Sequence, residues 1–211
     1  MGTMNTTSHN EPVENYCGTT YAARLLGLSV GTIQALVEKN ELQAWKTQGG
    51  HRRISMPSIR EYQRKHNMPV TMGETNHQQL RVLVVDDDPV AREMLRGFTS
   101  RSEVPVDCTV MSSGLEALID IASIQPDVLI ADLNMPGVDG FELLRTLRNN
   151  SQFSKMSCLA ISALTQQEID ARGGLPDGVI FMPKPLSMHW LNGFFAAIMA
   201  TRQSEALQTS R

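Results

Sequence analysis

The sequence predicts two domains, an α/β domain built on a parallel sheet and, before it, a small domain of short helices and a hairpin. In the second part of the chain, short apolar runs alternate with helical stretches, and each run ends at a polar residue. Such runs are typical of strands that are buried on both faces of a parallel sheet. In the first part, two short helical patterns meet at a glycine and are followed by a hairpin signal. The chain has 211 residues, which is enough for a core in each domain.

Charge is divided unevenly between the two parts. Residues 17–66 contain eight Lys or Arg and three acidic residues, a net charge of +5 (8 − 3). Residues 80–211 contain 11 basic and 16 acidic residues, a net charge of −5 (11 − 16). A polyanion partner is therefore expected for the first part only. No apolar stretch approaches the roughly 20 residues that span a bilayer, so we expect a cytoplasmic protein with no membrane partner.

The first helical pattern lies over residues 20–26, with small and apolar side chains on one face. Gly27 ends it, and Ser29 is a suitable N-cap for a second helix that carries Ile33 and Leu36 inward. Two short helices around a glycine turn predict a helix-turn-helix.

Two strand candidates follow, over residues 42–47 and 51–55. Residues 48–50 between them read Gln-Gly-Gly, which is a hairpin signal because glycine accepts the backbone angles of a tight turn. Pro57 suits the first turn of a third helix that would run to residue 66.

The domain bounds follow from these patterns and from the polar, aperiodic stretches between them. We predict a disordered tail over 1–16, a winged helix-turn-helix domain over 17–66, a linker over 67–79, an α/β domain over 80–203 and a C-terminal tail over 204–211.

Four apolar runs of the second part lead to residues with chemically active side chains. They are 81–85 with Asp86 and Asp87, 128–131 with Asp132, 159–161 with Ser162, and 179–182 with Lys184. In an open parallel α/β sheet, ligands bind beyond the carboxyl ends of the strands. The five side chains are therefore expected to converge on one site.

A magnesium and phosphate site is the interpretation that these side chains favour. Crowded carboxylates repel one another, and a hard cation that prefers oxygen ligands, such as Mg²⁺, relieves the repulsion. Asp132 can then act as a nucleophile toward a phosphoryl donor, while the Ser162 hydroxyl and the Lys184 ammonium stabilise phosphoryl oxygens. The alternative is that Asp and Ser end the strands as ordinary turn residues.

From about residue 80 to about residue 200, the chain resembles the receiver domain of bacterial two-component response regulators. The resemblance is carried by Val84-Val85-Asp86-Asp87-Asp88-Pro89, Asp132-Leu133-Asn134-Met135-Pro136-Gly137-Val138-Asp139-Gly140, Ser162-Ala163 and Lys184-Pro185. It implies a doubly wound (βα)5 parallel sheet, Mg²⁺ as cofactor and Asp132 as phosphoacceptor. The implied metal site consists of Asp86, Asp87, Asp132 and the backbone carbonyl of Asn134, and the implied switch residues are Ser162 and Lys184.

Two further positions are interpreted through the same resemblance. Phe181, three residues before Lys184, matches the place where receivers put an aromatic switch residue that turns inward. The alternative for Phe181 is a plain buried strand residue. Asp88 is expected to be only a helix N-cap.

The first part resembles the winged helix-turn-helix of the excisionase and MerR-like DNA-binding families. The residues concerned are Thr19-Thr20-Tyr21-Ala22-Ala23-Arg24-Leu25-Leu26-Gly27-Leu28-Ser29 and Leu42-Gln43-Ala44-Trp45-Lys46-Thr47-Gln48-Gly49-Gly50-His51-Arg52-Arg53-Ile54. The resemblance implies that the second helix enters the major groove and that the wing contacts phosphates or the minor groove. The predicted DNA contacts are Thr32, Gln34, Lys46, His51, Arg52 and Arg53. A solvated charged turn is the alternative for the two arginines.

One position departs from the pattern of that family. Many members carry Arg directly after the position of Gln34, where this chain has Ala35. The departure removes one expected phosphate contact, so the affinity of a monomer for DNA is expected to be modest. A homodimer formed on phosphorylation or on DNA would compensate, because the second contact becomes intramolecular.

Together the resemblances predict a DNA-binding response regulator of a two-component system, controlled by phosphorylation of Asp132 by a histidine kinase and acting in transcription regulation. Its DNA-binding domain precedes the receiver, whereas most such regulators place the receiver first. The alternative is a phosphorylation-controlled adaptor in which the helix-turn-helix binds a protein partner. No enzymatic activity is expected, because the chain offers no clear second substrate pocket.

Overall fold

The computed structural model describes residues 16–46, 52–68 and 79–209, with side chains up to residue 205. The chain divides into two compact units, Met1–Met72 and Gly73–Arg211, and each has its own hydrophobic core. Of the tail predicted over residues 1–16, only Tyr16 lies within the described residues, where it begins a strand.

The first unit combines short helices with a small antiparallel sheet. Gly27 ends the first helix in the left-handed conformation, which glycine adopts without a Cβ clash. Ser29 caps the second helix, because its Oγ accepts the amide of Thr32 at 3.0 Å. The predicted helix-turn-helix is therefore confirmed. The elements are β1 (Tyr16–Gly18), α1 (Thr19–Leu26), α2 (Val30–Glu38), β2 (Ala44–Lys46), β3 (Arg52–Ser55) and α3 (Met56–Lys65).

The sheet of this unit has the order β1-β3-β2, with both outer strands antiparallel to β3. The β2–β3 pair is the predicted wing. β1 was not predicted, and it adds a third strand through pairing with β3. Cys17 and Ile54 lie opposite each other in these strands and are buried together with Ile33 and Ile59.

The second unit is a doubly wound α/β domain, as predicted. Its five strands are all parallel, in the order β5-β4-β6-β7-β8. Its elements are β4 (Leu80–Val85), α4 (Pro89–Thr99), β5 (Val106–Met111), α5 (Gly114–Ile124), β6 (Val128–Asp132), α6 (Gly140–Arg148), a 3₁₀ turn (Ser151–Phe153), β7 (Ser157–Ser162), α7 (Gln166–Ala171), β8 (Val179–Pro183) and α8 (Met188–Thr209).

Helices cover the central strands on both faces, which explains why those strands are continuous apolar runs. Every residue of β6 is buried. On one face, Leu95 of α4 packs with Leu191, Phe195 and Met199 of α8 over the apolar side chains of β4, β6 and β7. Each such side chain stabilises the fold by about 1.5–3 kcal/mol relative to exposure. The core thus holds the strand ends in fixed positions.

An ion-pair cluster around Asp127 stabilises the amino ends of β4 and β6. The Asp127 carboxylate accepts the backbone amide of Arg81 at 2.8 Å and pairs with the Arg81 guanidinium at 3.3 Å. It also pairs with Arg202 of α8 at 2.8 Å. Arg202 in addition donates to the backbone carbonyl of Gln79 at 3.2 Å. The cluster therefore joins the last helix to the start of the first strand of this unit.

The helix α8 is longer than the sequence pattern suggested. The apolar residues ended near Met199, and the predicted tail began at residue 204, but the helix continues to Thr209. Residues 202–209 contain neither glycine nor proline, so nothing in them breaks the helix. Within the described parts of the chain, none of the helices combines the length and the apolar character that a membrane span needs.

Candidate functional site

Polar side chains from four strands meet at one edge of the five-stranded sheet. The strand order places the carboxyl ends of β4, β6, β7 and β8 side by side. The structure therefore brings together the residues for which the sequence predicted convergence. Asp86 follows β4, Asp132 ends β6, Ser162 ends β7 and Lys184 follows β8.

The ammonium of Lys184 lies between two carboxylates. Its Nζ donates to Oδ2 of Asp132 at 2.7 Å and to Oδ2 of Asp86 at 3.1 Å. Burial lowers the pKa of Lys184, but the hydrogen bonds to Asp132 and Asp86 outweigh that effect and raise the pKa above its usual value. Lys184 is thus a positive charge shared by both acids, which it offsets only in part.

Asp86 is the most enclosed acid of the site, with a side chain that is 0% exposed. Burial raises the pKa of this carboxyl, while the backbone amide of Asp88, which donates at 2.9 Å, and the ammonium of Lys184 act in the opposite direction. Asp87, by contrast, is exposed. Asp88 caps α4, since its Oδ1 accepts the amide of Val90 at 2.8 Å.

Three carboxylates of the site are close enough to share a cation. One oxygen from each of Asp86, Asp87 and Asp132 lies within 4.8 Å of the other two. A donor set made only of carboxylate oxygens suits a hard divalent cation, and Mg²⁺ in particular keeps several water ligands beside a few carboxylates. Asn134 lies beside this set, because its backbone amide donates to Oδ1 of Asp132 at 3.1 Å. The residues present therefore fit Mg²⁺.

The hydroxyl of Ser162 is buried at the end of β7, where it accepts the backbone amide of Leu164 at 3.2 Å. The Ser162 carbonyl accepts the amide of Lys184 at 2.8 Å, which ties β7 to the residue that carries the ammonium. Phe181 is half-buried in β8, opposite Ala160 of β7. Ser162, Phe181 and Lys184 thus lie along two neighbouring strands, with Ser162 and Lys184 at the carboxyl ends and Phe181 in the middle of β8.

Two further residues at this edge shape the site, although neither was among the predicted site residues. Arg92, one turn into α4, donates from Nη1 to the backbone carbonyl of Asp86 at 2.5 Å. Gly140 passes so close to β6 that a Cβ there would lie 2.1 Å from the carbonyl oxygen of Asp132. A glycine directly after Asp139, which caps α6, is a signal that could have indicated the close approach. No sequence pattern would have indicated Arg92.

Three of the predicted DNA contacts are exposed on the first unit. Thr32 and Gln34 are exposed on α2, and Lys46 is exposed at the end of β2. Thr32 also takes part in the helix start, since its Oγ1 lies 2.8 Å from the Oγ of Ser29. Gln34 is accessible, as a contact to a base edge requires.

The two wing arginines are half-buried and have different surroundings. Nη2 of Arg52 lies 3.2 Å from Oε1 of Glu38, so an ion pair links the wing to α2. Arg53 lies opposite Trp45 of β2 and Gly18 of β1 in the sheet. His51, the remaining predicted contact of the wing, lies outside the described residues.

Two family models match the chain. The model of the response regulator receiver domain matches residues 82–192, which is more than half of the 211 residues. The model of a helix-turn-helix domain matches residues 16–67. The first match includes the converging strand ends, and the second includes α2 and the wing.

Curated relatives match part of the chain. The response regulator MprA of Mycobacterium avium (strain 104) is 33% identical over 127 residues, which cover 60% of this chain and 54% of that protein. Protein-glutamate methylesterase/protein-glutamine glutaminase 5 of Myxococcus xanthus is 36% identical over 110 residues, which cover 52% of this chain and 31% of that protein. The chain thus spans about half, or less, of the length of these relatives.

Solved structures share the fold of the second unit. A sensor protein from Polaromonas sp. JS666 has 23% identity and a TM-score of 0.52, covering 58% of this chain and 98% of that one. The signal receiver domain of a DNA binding response regulator protein from Colwellia psychrerythraea 34H has 21% identity and a TM-score of 0.51, covering 57% of this chain and 98% of that one. At these identities the similarity establishes the fold alone.

Proposed function

The chain belongs to the response regulator receiver family, and on this premise we propose that it is a DNA-binding response regulator controlled by phosphorylation of Asp132 by a histidine kinase. The observation that carries the proposal is the Lys184 ammonium held against Asp132 and Asp86, 2.7 and 3.1 Å away. When a phosphoryl group is bound to Asp132, an ammonium in that position can exchange its hydrogen bond to the carboxylate for one to a phosphoryl oxygen. Both kinds of oxygen are strong acceptors.

Asp132 is the proposed nucleophile, since it is the acid that both ends a central strand and contacts Lys184 most closely. One of its carboxylate oxygens forms the new O–P bond as the P–N bond to the donor histidine breaks. The leaving imidazole keeps the bonding electron pair and is protonated. Mg²⁺ held by Asp86, Asp87, Asp132 and the carbonyl of Asn134 would neutralise charge on the phosphoryl oxygens.

The proposed switch consists of Ser162, Phe181 and Lys184. The Ser162 hydroxyl accepts the backbone amide of Leu164, so its own proton can be donated to a phosphoryl oxygen after a small movement. Phe181, on the adjacent strand, would fill the space that this movement leaves. Each contact differs between the phosphorylated and unphosphorylated states, as a shift of a two-state equilibrium requires.

The proposed DNA-binding surface is formed by α2 and the wing. Gln34 and Thr32 would face base edges in the major groove, and Lys46, His51, Arg52 and Arg53 would neutralise phosphates. Two half-sites bound by a homodimer, formed on phosphorylation or on DNA, would raise the affinity of this small surface. Receiver domains also occur in enzymes, as the methylesterase relative illustrates. No catalytic activity beyond phosphoryl acceptance is proposed for this chain.

The proposal is tested by mobility shift of a random-sequence duplex across a salt series, with and without Mg²⁺ and a small acyl phosphate. Binding should weaken steeply with salt, and the double variant Arg52→Ala/Arg53→Ala should flatten the slope of log affinity against log salt by about two units per monomer. Binding that is absent from the wild-type protein at low salt in both phosphorylation states would favour the protein-binding adaptor instead.

A further inference from the structure

The face of the small sheet that points away from the core carries two aromatic rings and a guanidinium. Cys17 and Ile54 point into the core. Side chains alternate between the faces of a strand, so Tyr16, Trp45 and Arg53, each one register position away, point to the opposite face. We call the surface formed by Tyr16, Trp45 and Arg53 the outer wing face.

Trp45 is the most exposed member of the outer wing face. It lies on the edge strand β2, and 48% of its surface is accessible. Its ring meets that of Tyr16 edge to face, with centroids 6.1 Å apart and planes at 81°. The contact with Tyr16 holds the indole in one orientation, while about half of it remains available to a partner. A single exposed ring does not by itself indicate a binding site, so the charges around Trp45 decide which partner it suits.

The positive charge of the three strands favours nucleic acid as the partner. The three strands carry Lys46, Arg52 and Arg53, and none of their described residues is acidic. Arg53 lies opposite Trp45 in the register and shares the outer wing face, while Lys46, the next residue, belongs to the other face of the edge strand. A polyanion is attracted by these cations, whereas an apolar protein surface would have to desolvate them on docking.

We propose that Trp45 contacts DNA through the sugar–phosphate backbone, packing its indole on a deoxyribose beside a phosphate that Arg53, on the same face, neutralises. The inference rests on the DNA binding proposed above and adds a contact of a different kind. A rigid indole buries a large area at little conformational cost. Because no counterion is released by an apolar contact, Trp45 supplies affinity that does not depend on salt.

The salt dependence of binding separates this contact from the ionic ones. For a random-sequence duplex, Trp45→Ala should bind about tenfold more weakly at every salt concentration with an unchanged slope, and Trp45→Phe should restore most of the loss. Lys46→Ala should instead flatten the slope by about one unit. Leu115→Ala, which removes an exposed apolar side chain from the receiver, serves as the control and should bind like wild type.

Fluorescence provides a second readout that does not require an alanine variant to fold. The chain has two tryptophans, so Trp190→Phe leaves Trp45 as the single indole. Addition of duplex should change the emission of Trp45 and protect it from quenching by acrylamide, because the indole becomes buried against the sugar.

The outcomes distinguish the two proposals. If the wild-type protein shows no salt-dependent binding, DNA binding itself is wrong. If wild type and Lys46→Ala behave as expected, but Trp45→Ala binds normally and Trp45 stays fully accessible to acrylamide on DNA, the Trp45 contact alone is wrong. If Trp45→Ala unfolds, as circular dichroism would show, Trp45→Phe and the acrylamide measurement decide.

Discussion

The strand-end site of the receiver and the wing of the helix-turn-helix unit differ in which charges their strands carry. In the receiver, Lys184 faces Asp132 and Asp86 within 3.1 Å, so both signs of charge come from the same sheet. In the wing, the strands supply cations, and the acid beside Arg52 is Glu38 of the neighbouring helix. The first site thus combines both signs of charge within one sheet, whereas the cations of the wing are complementary to the polyanion proposed as its partner.

Loss of Asp132, the proposed acceptor, should have the largest effect. Asp132→Asn removes the nucleophilic carboxylate, so incubation with Mg²⁺ and a small acyl phosphate should add no phosphoryl group, while wild type should gain one by mass spectrometry. Asp88→Asn is the matched control, because Asn also caps a helix. Labelling of Asp132→Asn at the wild-type level would place the nucleophile elsewhere.

Removal of the ammonium should separate acceptance from response. Lys184→Ala keeps the nucleophile and its neighbouring acids and should still be phosphorylated, but it should lose the phosphate-dependent change in sedimentation or DNA binding. Lys155→Ala, an exposed lysine of the same unit, should respond like wild type. An equal response in Lys184→Ala and wild type would mean that Lys184 is only structural and that other groups carry the signal.

A backbone contact underlies the geometry of the receiver site. Gly140→Ala would place a Cβ 2.1 Å from the carbonyl oxygen of Asp132, so β6 or α6 must shift, at a cost of about 3 kcal/mol in the free energy of unfolding. Gly193→Ala meets nothing within 4 Å in the helix α8 and should stabilise by about 0.5–1 kcal/mol. Urea unfolding measures both, and equal stabilities for the two variants would contradict the close approach.

Burial of Cys158 in the receiver should make the free energy of unfolding depend on pH in the alkaline range. Burial raises the pKa of Cys158 from 9.0 to about 11, against a lowering effect of Arg148. Between those pH values the folded chain keeps a proton that the unfolded chain loses, so the free energy of unfolding should fall as pH rises, by about 3 kcal/mol at most. Cys158→Ala should flatten this fall and Cys108→Ala should keep it, as measured by urea unfolding at each pH.

The smallest expected effect concerns the acid beside the wing. Glu38→Gln removes the carboxylate 3.2 Å from Arg52, which leaves the guanidinium free to neutralise a phosphate. Affinity for duplex should rise about threefold, and the salt slope should steepen slightly. Glu41→Gln removes the same charge from an exposed position in this unit and measures the effect of net charge alone. Equal gains in both variants would show that the ion pair does not restrain Arg52.

Much of the receiver site could be predicted from the sequence because parallel strands bring their carboxyl ends to one edge. This rule placed Asp86, Asp132 and Lys184 together without knowledge of any rotamer. It could not predict that one ammonium bonds both carboxylates, or that Arg92 reaches the carbonyl of Asp86. Those contacts depend on side-chain conformations and turn geometry, which no periodic pattern encodes.

In the first unit, local signals were sufficient where the structure is local. Gly27 and Ser29 determine the turn and the cap through their own backbone and side-chain chemistry. The strand β1 was missed because Tyr16–Gly18 is too short to show alternation, and it exists through pairing with β3 far along the chain. The roles of Thr32 and Gln34 remain predictions, since they depend on a partner.

The contacts of Arg202 with Gln79 and Asp127 bring the last helix of the receiver close to the start of its first strand. Arg202 donates to the carbonyl of Gln79, so the last helix of the receiver passes within one hydrogen bond of the point where the chain enters the first strand. The seven residues that follow Arg202, up to Thr209 (209 − 202), extend the helix by only about 10 Å beyond that point. A domain fused before Gln79 and one fused after α8 would therefore leave from the same corner of the receiver. The position of the helix-turn-helix unit before the receiver therefore requires no change in the sheet or in the ion-pair cluster around Asp127.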